Sequence, residues 1–316
     1  MTTSAILAHR LRRRFGDVDA VAALDLSIPA GEIYGFLGPN GAGKSTTARM
    51  LTTLLAPTDG TAQVAGHDVV RDPEGVRLRI GVALQDAALD PKQSGRELLD
   101  LQARLYGLHR ADRLRRVDEV IAIVDIGDAI DRRISTYSGG MRRRLDLAAA
   151  LIHQPEVLVL DEPTTGLDPS SRQTVWDEVE RLNRDLGMTI FLTTQYLEEA
   201  DALCNRVGII SAGCLVAEGT PAELKRRVGT DLILVRVDHD PAAAVAALDG
   251  VAGIERVETR GDLLLVATGA GAAAISPVAV ALDAAQVSVR ELTLRTPTLD
   301  DVFLELTGGH LQGGDE

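Results

Sequence analysis

Gly38-Pro39-Asn40-Gly41-Ala42-Gly43-Lys44-Ser45-Thr46 follows the apolar run Ile33-Tyr34-Gly35-Phe36-Leu37. It leads into Thr47 to Leu55, which reads as a helix stopped by Pro57 and the Asp59-Gly60 turn. The spacing is G-x-x-x-x-G-K-[ST] in the setting that gives it meaning, after a strand and at the opening of a helix. Glycines let the backbone wrap until several N–H groups face one phosphate chain, and the helix N-terminus adds the positive end of its dipole. Lys44 is then placed to bind the β- and γ-phosphates of a nucleoside triphosphate, and Ser45 to set its hydroxyl on Mg²⁺.

Working outward, short apolar runs recur at Arg79 to Leu84, Val157 to Leu160, Thr189 to Thr193 and Val207 to Ile210, with helical segments between them. Such runs predict buried parallel strands of an α/β fold. The run Val157-Leu158-Val159-Leu160 ends in Asp161-Glu162-Pro163. Asp161 at a strand end suits Mg²⁺, and Glu162 beside it suits a base that orients the attacking water. Ser94 to Tyr106 (Leu98, Leu101, Leu105) and Ala111 to Val124 (Leu114, Val117, Ile121, Val124) carry helical periodicity, which predicts an all-α insertion over about 87–153. Ile209 to Gly219 reads as a hairpin turning at Ala212-Gly213, and Pro221 to Arg227 as a connecting helix. Beyond it, strands at Asp231–Val237, Gly253–Glu258, Leu263–Ala267 and Val287–Leu294 join helices at Pro241–Leu248 and Ala272–Ala285. That β-α-β-β-α-β order predicts a small ferredoxin-like α+β domain over 229–308, closed by a helix at Leu299–Leu306 and a tail at 309–316.

Tyr137-Ser138-Gly139-Gly140-Met141, placed between the phosphate loop and the acidic strand, resembles the signature of the ABC ATPase family. The resemblance implies a P-loop ABC ATPase core over 1–228, with a helical subdomain and an antiparallel β subdomain, that binds ATP with Mg²⁺. It implies that Ser138 and the amides of Gly139 and Gly140 contact ATP held by the phosphate loop of a second copy. It makes Gln85 the glutamine that touches the metal and relays to a transmembrane partner. Gly166-Leu167-Asp168 matches the loop that meets the opposite subunit, and Phe15 the aromatic that stacks on adenine. Met141 and Tyr137 replace the usual glutamine and leucine without removing a phosphate contact. Gln195, after Thr193-Thr194, replaces the family's switch histidine; it can donate a hydrogen bond to the γ-phosphate but carries no charge, which implies slow hydrolysis. Gln195-Tyr-Leu-Glu-Glu-Ala-Asp201, the closing Pro297-Thr-Leu-Asp-Asp-Val-Phe-Leu304 and the C-terminal domain are similar to the daunorubicin-resistance-type ATP-binding proteins. That branch implies a homodimeric ATPase serving a separate permease, commonly exporting an antibiotic or lipid-like compound.

Composition narrows the partners. A formal net charge of -13 argues against nucleic acid, which needs a basic surface. No stretch approaches the roughly 20 apolar residues of a membrane-spanning helix, so the expected place is the cytoplasmic face of a bacterial membrane, reached through the permease. Arginine and alanine usage fits a GC-rich genome. Cys204 and Cys214 read as reduced thiols, and the six scattered histidines as no metal site. Arg12–Arg14 and Arg142–Arg144 read as solvated faces, although on the signature helix the second run could help fix an ATP-bound dimer. A soluble ABC ATPase acting on ribosomes or DNA fits less well, with one cassette and a short insertion. The same motifs would also suit an importer subunit, or an ATP sensor that barely hydrolyses.

Overall fold

The computed structural model describes residues 4–84, 89–124, 126–239 and 241–307. The chain divides into two compact units, the first ending at Pro221 and the second starting at Ala222. The tail expected at 309–316 lies outside the described residues.

The first unit opens with two long strands, β1 (Ser4–Phe15) and β2 (Val18–Pro29), followed by β3 (Ile33–Leu37) and α1 (Lys44–Leu51). Next come β4 (Asp59–Val64), β5 (His67–Asp68), α2 (Pro73–Arg77) and β6 (Ile80–Ala83). Three helices follow: α3 (Gly95–Leu105), α4 (Arg110–Val124) and α5 (Gly139–Leu151). The chain then alternates through β7 (Val157–Asp161), α6 (Pro169–Leu186), β8 (Thr189–Thr194), α7 (Leu197–Leu203), β9 (Arg206–Ser211) and β10 (Cys214–Gly219). One sheet is antiparallel, ordered β2-β1-β4-β5; the other is ordered β10-β9-β3-β8-β7-β6 and is parallel apart from β10. Every residue of β3, β7 and β8 is buried, which is why these segments are continuous apolar runs. The parallel register sets Leu37 opposite Thr194 and Asp161 opposite Thr193. The three loops leaving β3, β7 and β8 therefore emerge side by side, where α/β sheets bind ligands.

Several local expectations shift. The first helix runs Lys44–Leu51 and stops as Thr53 turns to φ 62. On α3 the buried face is Gly95, Leu98, Leu99 and Ala103, so Leu101 and Leu105 stay exposed. On α4, Leu114 is exposed, and Arg116 turns inward to donate to the carbonyls of Leu151 and Ile152 at 2.6 and 3.1 Å. Both carbonyls lie at the C-terminal end of α5, where Leu151 also accepts from the Gln154 N–H at 3.1 Å, and a cation there is favourable. Neither arginine run is simply a solvated face. Arg12 pairs with Asp19 at 2.7 Å, and Arg143 lies largely buried, 3.3 Å from Asp146 with its other bonds to the carbonyls of Leu84 and Ala83.

From the boundary, α8 (Pro221–Val228) leads to β11 (Asp231–Val237), α9 (Pro241–Leu248), β12 (Ile254–Arg260), β13 (Leu263–Thr268), α10 (Ile275–Ala284), β14 (Val289–Arg295) and α11 (Leu299–Thr307). The sheet, ordered β12-β13-β11-β14, is antiparallel throughout. This is the ferredoxin-like arrangement. Its core is aliphatic, with Ile233, Val235, Leu264, Val266, Val278 and Leu282 fully buried.

Candidate nucleotide site

The phosphate loop owes its course to glycine. Gly43, which caps the N-terminus of α1, sits at φ 107, and a Cβ there would meet the Ala20 carbonyl at 2.4 Å. A Cβ on Gly38 would lie 2.4 Å from the Ile210 carbonyl. The loop walls a cleft of about 410 Å³ with Asn40, Gly41 and Gly43 to Thr46, and Glu162, Thr165 and Gln195 from the neighbouring strand ends close it. Pro39 lends its carbonyl to Lys44, and Ala42 is packed into the core.

The ionic centre lies in this cleft. Lys44 is 4% exposed; its Nζ donates to the carbonyls of Gly38 and Pro39 at 2.8 and 3.1 Å and lies 3.1 Å from Glu162 Oε1. Glu162, also buried, holds a left-handed backbone at φ 48, unusual for a residue other than glycine. Its N–H is fixed by the carbonyl and hydroxyl oxygens of Thr193, each at 3.1 Å, and its second carboxylate oxygen accepts from the Thr165 hydroxyl at 3.3 Å. Next to it, Asp161 accepts hydrogen bonds from Ser45 Oγ at 3.1 Å and from the Thr193 hydroxyl. A serine hydroxyl and a carboxylate this close form a hard oxygen set that fits Mg²⁺. Gln85, the third expected ligand, lies outside the described residues. The sequence reading missed Thr193 and Thr165; the hydroxyls at Thr193-Thr194 and Thr164-Thr165, flanking the two functional positions, were the signal for them.

Phe15 does not line the cleft. It ends β1, 47% exposed, with the Arg13 guanidinium 4.5 Å from its ring centroid. The signature is also elsewhere. Ser138 caps α5, its hydroxyl accepting from the Met141 N–H at 3.3 Å, and no residue from Tyr137 to Met141 lines the phosphate cleft. Tyr137 is buried and donates to the Ala129 carbonyl at 2.6 Å, so the tyrosine anchors the loop before α5. Gly139 faces Leu167 across a separate hollow of about 230 Å³, which also reaches Glu162, Thr165 and Gly166. Asp168 caps α6 and accepts from Ser171 N and Oγ at 3.0 and 2.6 Å; these bonds hold its carboxyl below the usual range.

An ABC transporter family profile matches residues 21–165, and one for the C-terminal domain of DrrA1-3-like ATP-binding proteins matches 219–307. Daunorubicin resistance ATP-binding protein DrrA3 of Streptomyces coeruleorubidus is 48% identical, across 98% of this chain and 97% of its own length. The chain belongs to the daunorubicin-resistance family of ABC transporter ATP-binding proteins. This ABC ATPase is therefore a nucleotide-binding, ATP-hydrolysing subunit. It is also similar to the linearmycin resistance ATP-binding protein LnrL of Bacillus subtilis, 34% identical across 96% of this chain and 99% of that one. Among solved structures, CbiO1 of Clostridium perfringens aligns with TM-score 0.65 at 26% identity, covering 71% of this chain and 94% of that one. A dimeric ATP-binding cassette bound to ADP and Pi shares the fold with TM-score 0.62 at 22% identity, covering 68% of this chain and 98% of that one.

Proposed function

We propose that this ABC ATPase drives an exporter. Two copies sandwich two ATP molecules, and their closure moves a separate permease that expels a drug, antibiotic or lipid-like compound. The observation that carries the reading is the split of the functional residues. Lys44, Ser45, Asp161, Glu162 and Gln195 converge at the ends of β3, β7 and β8, while Ser138, Gly139 and Gly140 stand at the N-terminus of α5 and line no part of the phosphate cleft. A helix N-terminus is itself an anion site. In the homodimer, the one on α5 meets the γ-phosphate held by the other copy, with Gly166, Leu167 and Asp168 at the seam.

Within the cleft, the amides of the phosphate loop and Lys44 hold the β- and γ-phosphates. Ser45 and Asp161, with Gln85, would hold Mg²⁺, which would supply neutralisation of phosphate charge. Binding of phosphate draws on the ammonium that otherwise faces Glu162, and frees that carboxylate to take the proton of the attacking water. Gln195 donates its amide hydrogens to the γ-phosphate, without the charge or proton transfer of a histidine. Phe15, at the end of β1 and outside the cleft, is the residue assigned to stack on adenine.

The permease reading is supported by a groove of about 330 Å³ in which Leu54, Val82, Leu98 and Tyr106 meet the polar side chains of Arg77, Gln102 and Asp146, with Leu54 60% exposed. A groove of mixed apolar and charged lining suits an amphipathic segment of another protein. Among the described residues no helix is long and apolar enough to cross a membrane, and the reading assigns the crossing to the permease, with this chain at the cytoplasmic face. The resistance proteins among the relatives favour export. The test is a mild-detergent pull-down of tagged protein from its native cells. A stoichiometric polytopic membrane protein is expected; recovery with ribosomal or DNA-bound proteins, or alone in the soluble fraction, would overturn the reading.

A further inference from the structure

Two side chains of α6, Arg172 and Trp176, lie four residues apart and so on one helix face. Both reach the segment that follows β8. The Arg172 guanidinium carbon sits 4.5 Å from the Tyr196 ring centroid, and its Nε donates to the Leu167 carbonyl at 3.2 Å. One turn later Trp176 Nε1 donates to Glu199 Oε1 at 3.0 Å, and the same oxygen accepts from the Thr164 hydroxyl at 2.9 Å. Glu199 is fully buried. Thr164 lies two residues after Glu162, Tyr196 adjoins Gln195, and Leu167 is the middle of the Gly166–Asp168 loop from which α6 itself starts. A single helix face therefore grips the loops that carry the base, the switch glutamine and the dimer contact.

The two grips differ in kind. The Glu199 contact is buried, with Thr164 and Trp176 both donating to one carboxylate oxygen, so it fixes α7 to α6 and to the loop after β7. The Arg172 contact is half-exposed and reaches the outward-facing 166–168 loop. Tyr196 precedes the first residue of α7 and makes no side-chain capping bond; its N–H is held by Thr194 Oγ1 at 2.9 Å. Its ring is thus not engaged in capping, and the guanidinium lies over it.

We propose that Arg172 and Tyr196 are positioning residues that couple Gln195 to the Gly166–Asp168 loop, so that the glutamine is set for the γ-phosphate when that loop meets a second copy of the chain. The inference rests on the roles given above to Gln195 and to that loop. A planar guanidinium can stack on a ring while its edge holds a carbonyl; an ammonium cannot do both. Displacement of the Leu167 carbonyl by a facing subunit is carried by the guanidinium to the Tyr196 ring and, one peptide bond away, to Gln195.

The test is steady-state ATPase kinetics of the full chain, with variants made alone and on a Gln195→Ala background. Arg172→Ala and Tyr196→Ala are each expected to lower kcat about tenfold, within the ~10²-fold that a misplaced catalytic group can cost. KM for ATP stays near that of the wild type, because the phosphate loop is untouched. Arg172→Lys behaves as Arg172→Ala, and Tyr196→Phe recovers the turnover lost in Tyr196→Ala. On the Gln195→Ala background Arg172→Ala has no further effect. Equal losses on both backgrounds, or a lower Tm with unchanged kcat, would overturn the coupling and leave Arg172 a scaffold residue. If Gln195→Ala alone turned over like the wild type, the role of Gln195 would fall, and the coupling with it.

Discussion

The two units of this ABC ATPase bury different things. In the first, Lys44, Arg116, Asp161, Glu162, Glu178 and Glu199 are all withdrawn from solvent. In the second, among the described residues, the buried set is apolar apart from Thr268. Its ion pairs, such as Arg236–Asp262, stay on the surface. Burying a charge is unfavourable unless it is paired and hydrogen-bonded, so such groups persist where they serve something beyond stability. The first unit holds its charges at the ends of β3, β7 and β8 and along the helices behind them. The second has no comparable cluster among its described residues; its aliphatic core holds one sheet against two helices.

The largest effect should come from breaking the ionic centre. Glu162→Gln keeps the shape but removes the base, and turnover is expected to fall by about 10²–10⁴-fold. ATP binding persists, measured by fluorescence titration, and the ATP-bound dimer accumulates. Unchanged turnover would contradict the assignment. The matching cut in the second unit is Leu264→Ala. Deleting a fully buried leucine costs about 2–5 kcal/mol, read as a lower denaturation midpoint of residues 222–307, while ATP turnover by the first unit is kept. Loss of turnover in that variant would show that the second unit contributes to the chemistry.

A smaller effect concerns Asp146, whose burial on α5 beside Arg143 raises its pKa from 3.8 to about 6. The folded state then binds this proton more tightly than the unfolded chain. Its stabilising contribution is fully present below pH 3.8 and is lost as pH rises through about 6. Asp146→Asn, which stays neutral, should flatten the decline in the urea midpoint across that window. An identical slope in the variant would show that another group titrates there.

How much of this was legible in the sequence follows the same division. The phosphate loop and Asp161-Glu162 could be read because each chemical role demands a residue type at a fixed distance from a strand end. Segments of the second unit such as β11 and β13 could be read because a two-residue period runs through them without a charge on the buried face. The hairpin of β1 and β2 could not. Arg10 and Ala23 adopt left-handed backbones at φ 47 and 51, and the pairing register slips at several points, so the two-residue alternation is broken. Arg143 was hidden for a different reason. In Arg142-Arg143-Arg144, only the phase of α5 decides which guanidinium turns inward to the end of β6. The contacts of Arg172 and Glu199 join segments 5 to 35 residues apart and leave no spacing to detect.

In the proposed homodimer each ATP site is built from two chains. The most direct test mixes two variants that are inactive alone: Lys44→Ala, which lacks a working phosphate loop, and Ser138→Arg, which lacks a working signature. If the signature acts across the dimer, a mixed pair holds one intact site, and ATP hydrolysis should return on mixing. A mixture as inactive as its components, with heterodimers shown to form, would mean that Ser138 serves the cleft of its own chain and would rule out the shared site.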